Sequence, residues 1–134
     1  MSLTSSDIEQ DVYDLIQLSS LKTSISGKIY KSGMRPPNSK LEDVVITFLA
    51  GLGNQLQTGV VNVNTYVNNV VLDGIHVKDT IRIKALETII KSWISGIINQ
   101  KYEFELDKTM QVYEVPEISQ HFINTRLKFK LINE

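Results

Sequence analysis

The sequence predicts a single α+β domain, residues 1–134, in which an N-terminal helix and one long central helix pack on one face of an antiparallel β-sheet. Two patterns carry this prediction. In two segments apolar residues recur every three or four positions, as along one side of a helix, and in several others apolar and polar residues alternate, as along a half-buried strand. A chain of 134 residues can bury a core without disulfides or a structural metal, which fits the absence of cysteine.

The first helix is predicted to begin at a capping box and to continue to about Ser19. Ser6 and Glu9 have the spacing at which a hydroxyl and a carboxylate each bond the other's backbone amide. Acidic residues at this helix start are also favoured, because they lie near the positive end of the helix dipole. An approximate apolar stripe follows, formed by Ile8, Val12, Leu15, Ile16 and Leu18.

A basic segment comes next. Between Leu15 and Leu41 there are five basic residues and no acidic one. Pro36 and Pro37 forbid a helix, so we expect a short strand at residues 27–31 and an exposed loop at residues 32–40. Without apolar anchors to give it a tertiary hold, this loop should be mobile in the isolated subunit and become ordered only on contact with a neighbour. Loops often carry partner contacts, although many are merely solvated, and the predicted partner-contact residues are Lys28, Lys31, Arg35 and Lys40.

The following two strands are predicted to form a hairpin. Residues 44–49 are an apolar, β-branched run, residues 50–54 have the glycines of a turn, and a second strand starts near Leu56. In it valines alternate with Asn62, Asn64 and Tyr66, which therefore share the face away from the core. Uncharged amides and a phenol lose little on desolvation. We predict these three residues as a subunit interface, with a plain solvated face as the alternative.

The main core helix is predicted from about Thr80 to Ile98, after a turn-rich connection at residues 68–78. Asp79 has the chemistry of an N-cap. Gly96 is disfavoured inside a helix, so we expect it to allow a close approach to the sheet. The apolar stripe comprises Leu86, Ile89, Ile90, Trp93, Ile94, Ile97 and Ile98.

The C-terminal third is again strand. An acidic triplet at positions 103, 105 and 107 and a basic triplet at 126, 128 and 130 have the same two-residue spacing. On neighbouring strands they would form cross-strand ion pairs. Between them, Lys108 and Thr109 are expected to turn the chain into a strand at residues 111–115 that Pro116 ends.

Catalytic signatures are sparse. With no cysteine and only two histidines, the sequence offers no thiolate chemistry and little for a metal, and no phosphate loop or nucleophile elbow occurs. Asp73 lies near His76, but an acid in a turn beside a loop histidine is common. No apolar run approaches the ~20 residues that cross a bilayer, and none follows Met1, so we expect no membrane segment and no export. We predict no enzyme, cofactor or metal.

Along the chain, the N-terminal helix is followed by the run GKIY before a Pro-bearing loop, the strand DVVITF, the hairpin strand VNVNTYV, the long helix and the closing strand HFINTRLKFKLI. This order, over about residues 7–132, resembles that of the tail-completion or neck proteins of long-tailed bacteriophages. These proteins are a head–tail joining, tail-terminator-like family that forms a ring where the tail meets the head connector.

This resemblance implies a structural subunit that assembles with itself, six copies being the expected number, and with other phage tail or connector proteins. It implies no enzymatic activity, no cofactor and no small-molecule substrate. The expected location is the virion neck or tail, after assembly in the host cytoplasm, with nucleic acid contacted only if the ring lines a DNA channel. The formal charge of -1 gives no general attraction for nucleic acid.

Two other hypotheses stay open. One is a small nucleic-acid- or protein-binding adaptor that uses the basic loop, residues 28–40. The other is a small hydrolase that uses Asp73, His76 or His121.

Overall fold

The computed structural model describes residues 3–52 and 58–132. Its helices are α1 (Ser5–Gln17), α2 (Ser20–Ser24) and α3 (Thr80–Ser95), with a 3₁₀ turn at Pro116–Ile118. Its strands are β1 (Ile29–Lys31), β2 (Val44–Leu52), β3 (Thr58–Asn68), β4 (Val70–Leu72), β5 (Ile75–Val77), β6 (Tyr102–Leu106), β7 (Gln111–Val115) and β8 (Gln120–Leu131). The turn predicted at residues 50–54 starts later than expected, because residues 50–52 still belong to β2 and pair with β3. Residues 53 and 54, and the predicted start of the second strand near Leu56, lie outside the described residues.

The main sheet has the order β1, β2, β3, β8, followed by β6 and β7 on the same edge of β8. All its pairs are antiparallel except β1 with β2. That pair is parallel because the loop at residues 32–43 returns the chain to the end of the sheet where β1 started, so that Val44 lies beside Ile29. The α+β class is confirmed, with a mixed sheet in place of a purely antiparallel one.

The core lies between one face of the sheet and the helices. Val61, Val63, Leu127 and Phe129, the four sheet residues expected in the core, are all buried. Each buried aliphatic or aromatic side chain of this size stabilises the fold by roughly 1.5–3 kcal/mol. Trp93 is half-buried against the core. The helical part of the core comprises Ile8, Val12, Ile16, Leu21, Ile83, Leu86, Ile90 and Ile94.

Helix α1 starts at a different capping box from the predicted one. Thr4 is the N-cap: its hydroxyl accepts from the Asp7 amide at 3.1 Å, and the Asp7 carboxylate accepts from the Thr4 amide at 2.9 Å. Glu9 is free for another role, and its carboxylate accepts from the backbone amide of Phe48 at 3.1 Å, which joins α1 to β2. The apolar stripe also ends early, because Leu18 lies past the helix and is 90% exposed.

Helix α3 begins where predicted but ends earlier than predicted. The Asp79 side chain accepts from the Arg82 amide at 3.0 Å, which confirms the N-cap. The helix ends at Ser95 with Gly96 as an exposed C-cap, so the expected close approach of Gly96 to the sheet is wrong. Ile98, predicted on the core stripe, is 95% exposed.

Strands β6 and β7 do not form the expected turn at Lys108 and Thr109. Leu106 pairs with Leu127 and Gln111 pairs with Asn124, so both strands run in one direction along β8. Residues 107–110 form a bulge between them. Such a bulge interrupts an exposed sheet edge and hinders uncontrolled pairing with other chains.

Candidate functional site

The face of the sheet opposite the helices, here called the outer face, carries the three predicted interface residues. Asn62, Asn64 and Tyr66 alternate along β3 with buried residues, and each is partly exposed. The period-two pattern therefore assigned the faces of β3 correctly. The role of these residues in subunit contact stays a prediction.

Amides form a hydrogen-bonded cluster on the outer face. Asn124, directly opposite Asn64 on β8, donates through Nδ2 to the Asn64 side-chain oxygen at 2.7 Å and to the Asn62 oxygen at 3.3 Å. The cluster is polar but uncharged. It can therefore be covered by another protein surface without the larger free-energy cost of burying a charge.

An aromatic row crosses the outer face beside the amides. Tyr66 on β3 packs against Phe122 of β8, and Phe122 packs against Tyr113 of β7, each pair with tilted rings whose centroids are 5.4 Å apart. The Arg35 guanidinium lies 3.7 Å from the centre of the Tyr66 ring. Tyr113 is 45% exposed. Sequence reasoning missed Phe122 and Tyr113, because the pattern shows which side chains share a face but not which strands are neighbours.

Arg35 points into the molecule. Its side chain is 9% exposed, and Nε donates to Oδ2 of the fully buried Asp43 at 2.9 Å. Its Nη2 donates to the side-chain oxygen of Gln120 at 2.9 Å. The structure thus places Arg35 in an internal network, and its contact with a partner stays a prediction that requires this network to open.

The other three predicted partner-contact residues are held to different degrees. Lys31 bonds the side-chain oxygen of Gln10 and lies 5.3 Å from the centre of the Tyr13 ring. Lys40 donates to the Ile118 carbonyl at 2.8 Å. Lys28 is exposed. The expectation that the loop lacks a tertiary hold is wrong, since Arg35 and Lys40 hydrogen-bond to other segments of the chain. Its mobility in the isolated subunit stays a prediction.

Ion pairs occupy the other half of the outer face. The expected opposition of the two triplets on neighbouring strands is confirmed: Glu103 lies opposite Lys130, and Glu105 opposite Lys128. The Lys128 and Glu105 charges are 3.8 Å apart, and the bulge residue Asp107 lies 3.1 Å from Arg126. The outer face therefore has an uncharged half and a half of paired charges.

A hairpin of β4 and β5, here called the arm (residues 70–77), extends from the domain. Asp73 and Gly74 have φ of 51° and 78°, the two positive values that a type I′ turn requires. Leu72 and Ile75 beside this turn are 60% and 64% exposed. The turn was predicted within residues 68–78, but its strands were not, although Asp-Gly between apolar triplets is a hairpin signal.

The histidines lie apart from one another. His76 is exposed on the arm, and Nδ1 of His121 is 2.7 Å from the side-chain oxygen of Asn69. Within residues 3–52 and 58–132, no group of three or more histidine and acidic side chains could hold a metal ion. None of the described helices has the length and apolar character to cross a membrane.

Three pKa shifts among the described residues belong to contacts that hold the fold together. Hydrogen bonding to Thr4, chiefly through its backbone amide, lowers the pKa of Asp7. Hydrogen bonds to Glu42 raise the pKa of Arg82. Burial, and then the hydrogen bond to Asp11, raises the pKa of Tyr102. Each shift has a structural cause.

Comparison of the sequence with models of known families and with curated proteins finds no match.

Proposed function

We propose that this chain is a structural assembly protein of a phage or prophage neck. It forms a ring of copies at the head–tail junction, binds other tail or connector proteins and catalyses no reaction. The observation that carries the proposal is the uncharged half of the outer face, where the amide cluster and the aromatic row lie side by side.

The chemistry of this half matches that of a protein interface. Interface centres are depleted of charged residues and enriched in aromatic ones, whereas rims are polar. Tyr66, Phe122 and Tyr113 supply the aromatic surface, and the neighbouring ion pairs of β6 and β8 supply a polar border. A contact centred on the amides and aromatics would leave the paired charges in water, where they lose no solvation.

The resemblance to neck proteins supplies the biological context. The described fold retains the element order on which that resemblance rests: a first helix, a short strand with its loop, a hairpin, a long helix and a closing strand. Six copies per ring, assembly in the host cytoplasm and a final place in the virion neck follow from the resemblance. Nucleic acid enters this proposal only if the ring lines a DNA channel.

The adaptor hypothesis gains less support from the geometry. Binding of nucleic acid needs cations that reach phosphates, and its strength falls steeply with salt. Arg35, Lys31 and Lys40 are instead engaged within the chain. Salt-dependent binding of DNA by the isolated protein would favour the adaptor over the ring.

A near-isosteric substitution tests the outer face. Asn64→Asp keeps the oxygen that Asn124 bonds but adds a charge that an interface would have to bury. An unpaired buried charge costs at least about 1–3 kcal/mol, so we expect self-association to weaken by about tenfold or more. The readouts are sedimentation at rising protein concentration and the joining of tails to heads in a host-complementation assay.

Thr88→Asp is the matched control, because it adds the same charge at an exposed position of α3, which packs on the face of the sheet opposite the outer face. It should assemble and complement as the unmodified protein does. Equal behaviour of the two variants would remove the outer face from assembly. Normal joining after deletion of the whole gene would contradict the neck function itself.

A further inference from the structure

Strand β6 lies at one edge of the main sheet and pairs with β8 on one side only. The Asp107 amide donates to the Arg126 carbonyl at 2.8 Å. Because bonded positions alternate along an antiparallel pair, the odd-numbered residues of β6 bond β8, and the backbone groups of Phe104 and Leu106 point away from the sheet. In the described part of the chain no strand pairs with that side of β6.

An open strand edge can bind another chain, because its outward amides and carbonyls can bond an extended segment. The length of this edge is limited at both ends. At the start of β6, the Tyr102 amide already donates to the side-chain oxygen of Asn99 at 3.0 Å. At its end, the bulge at residues 107–110 interrupts the edge. An added strand would therefore pair with the five residues of β6 alone.

The side chains of β6 determine what an added segment must carry. Glu103 and Glu105 lie on the outer face and are exposed. Phe104 and Leu106 lie on the helix side of the sheet and are half-buried against the core. A residue of an added strand shares the face of the β6 residue that it lies beside. The matching segment therefore has basic residues that alternate with apolar ones.

The helix side of this edge has room for the apolar residues of such a segment. One cleft lies between α1 and β6, and its apolar walls include Leu15 and Phe104. Another lies between α3 and the end of β6, and its apolar walls include Leu106 and Met110. Clefts that receive alternate side chains give an added strand its specificity.

Strand β8 shows that β6 accepts this alternating pattern. On the paired side of β6, Lys130 lies opposite Glu103 and Lys128 lies opposite Glu105, while Phe104 lies opposite an apolar residue. The open side of β6 offers the same alternation of acidic and apolar side chains to a second strand.

We propose that the open edge of β6 binds an extended segment of another protein, in which basic residues alternate with apolar ones. Pairing of β6 with β6 of a second copy is disfavoured, because Glu103 and Glu105 would lie opposite acidic residues and like charges directly opposite destabilise a sheet. The edge lies apart from the amide cluster and the aromatic row. The inference therefore does not rest on the proposed neck function.

A synthetic peptide tests the edge in the whole protein. Its sequence is that of residues 125–131, TRLKFKL, which has the required alternation, and its ends are blocked to remove the terminal charges. Hydrogen exchange of the Phe104 and Leu106 amides is followed by NMR. At a peptide concentration about ten times the Kd, the edge is open for about a tenth of the time, so exchange of these amides should slow about tenfold.

Charge reversal tests recognition from both sides. An acidic peptide, with glutamate at the three basic positions, should leave the exchange of these amides unchanged. The variant Glu103→Lys with Glu105→Lys should bind the basic peptide about tenfold more weakly or worse, and should gain binding of the acidic peptide. The variant should fold, because exposed ion pairs contribute little to stability.

The matched control is Glu114→Lys with Glu117→Lys. It makes the same change of charge at two exposed positions beyond the bulge, so it should bind the basic peptide as the unmodified protein does. Equal weakening in both variants would mean that net charge alone governs binding, and would overturn the inference.

Three further results would also overturn it. Unchanged exchange of the Phe104 and Leu106 amides at millimolar basic peptide would mean that the edge binds no added strand. Equal slowing by the basic and acidic peptides would remove Glu103 and Glu105 from recognition. Slowing at rising protein concentration without peptide would show that a second copy of the chain occupies the edge.

Discussion

At the scale of single residues, Asp43 joins three parts of the chain through one buried carboxylate. Oδ1 accepts from the Lys28 amide at 2.9 Å, while Oδ2 accepts from Arg35 Nε at 2.9 Å and from the Ser39 hydroxyl at 2.6 Å. A buried charge with several such partners is strongly destabilising when one partner is lost. This carboxylate therefore holds the basic loop on the sheet.

Gly27 makes this arrangement sterically possible. A Cβ at that position would lie 2.1 Å from Asp43 Oδ1 and 2.6 Å from the Glu42 carbonyl oxygen. We expect Gly27→Ala to lower the free energy of unfolding by about 2–4 kcal/mol, because Asp43 or its backbone must move. Urea unfolding followed by circular dichroism measures the loss.

Gly96→Ala is the matched control for Gly27→Ala. Gly96 is an exposed C-cap with a negative φ of -97°, and the nearest atom to an added Cβ, the Ser92 carbonyl oxygen, is 3.3 Å away. We expect a change of less than about 1 kcal/mol. Similar losses from the two substitutions would mean that Gly27 has no special steric role.

At the scale of elements, Tyr102 connects α1 to the edge of the sheet. Its hydroxyl donates to Asp11 Oδ2 at 2.5 Å, and Lys101 Nζ lies 2.9 Å from the same oxygen. Burial of the phenol, and then this hydrogen bond, raises the pKa of Tyr102. The contact therefore depends on a protonated phenol.

The raised pKa of Tyr102 gives an alkaline signature. Unfolded tyrosine ionises near pH 10, so stability from the protonated phenol is complete below that pH and declines as pH rises above it, because the unfolded state releases its proton first. We expect Tyr102→Phe to be less stable than the unmodified protein at pH 7, with the difference shrinking above about pH 10. Urea midpoints between pH 7 and 11 check this. A difference that stays constant with pH would show that the phenol contributes nothing through its proton.

Periodicity predicted the elements well where burial is one-sided. Alternation along β3 and β8 identified the buried faces, and the matching acidic and basic triplets gave the register of β6 on β8. Periodicity failed at element ends, since a stripe of apolar residues does not show where a helix stops. Leu18 and Ile98 continue their stripes beyond the last helical turn and so were assigned to the core.

One part of the candidate site was predicted from the alternation of side chains along a strand. Another part was missed because it depends on contacts between distant segments of the chain. Asn62, Asn64 and Tyr66 share a face because a strand alternates, which needs no knowledge of tertiary structure. The inward position of Arg35 depends on Asp43 and on Gln120, which is far along the chain. Contacts between distant segments leave no periodic signal. The arm was missed because its apolar strands stay exposed, which burial patterns do not predict.

At the scale of the whole molecule, the fold leaves two kinds of surface for association. The helices cover one face of the sheet, so the outer face stays available on the other. The arm precedes α3 in the chain and exposes Val70, Leu72 and Ile75 to solvent. The outer face and the arm are formed by different residues, so one copy can offer both to other chains.

Hydrogen exchange should reveal this division of stability in the free subunit. Strands β3 and β8 are paired on both sides within the sheet, so their amides should open only on global unfolding and exchange most slowly. The arm pairs only with itself among the described residues and should exchange fastest of the strands. The amides of the basic loop should exchange more slowly than their exposure suggests. Their exchange should become faster in Asp43→Asn, because this variant removes the charge with which Arg35 pairs. Arm amides as slow as those of β3 in dilute protein would contradict this division, because they would mean that the hairpin is held by the rest of its own chain.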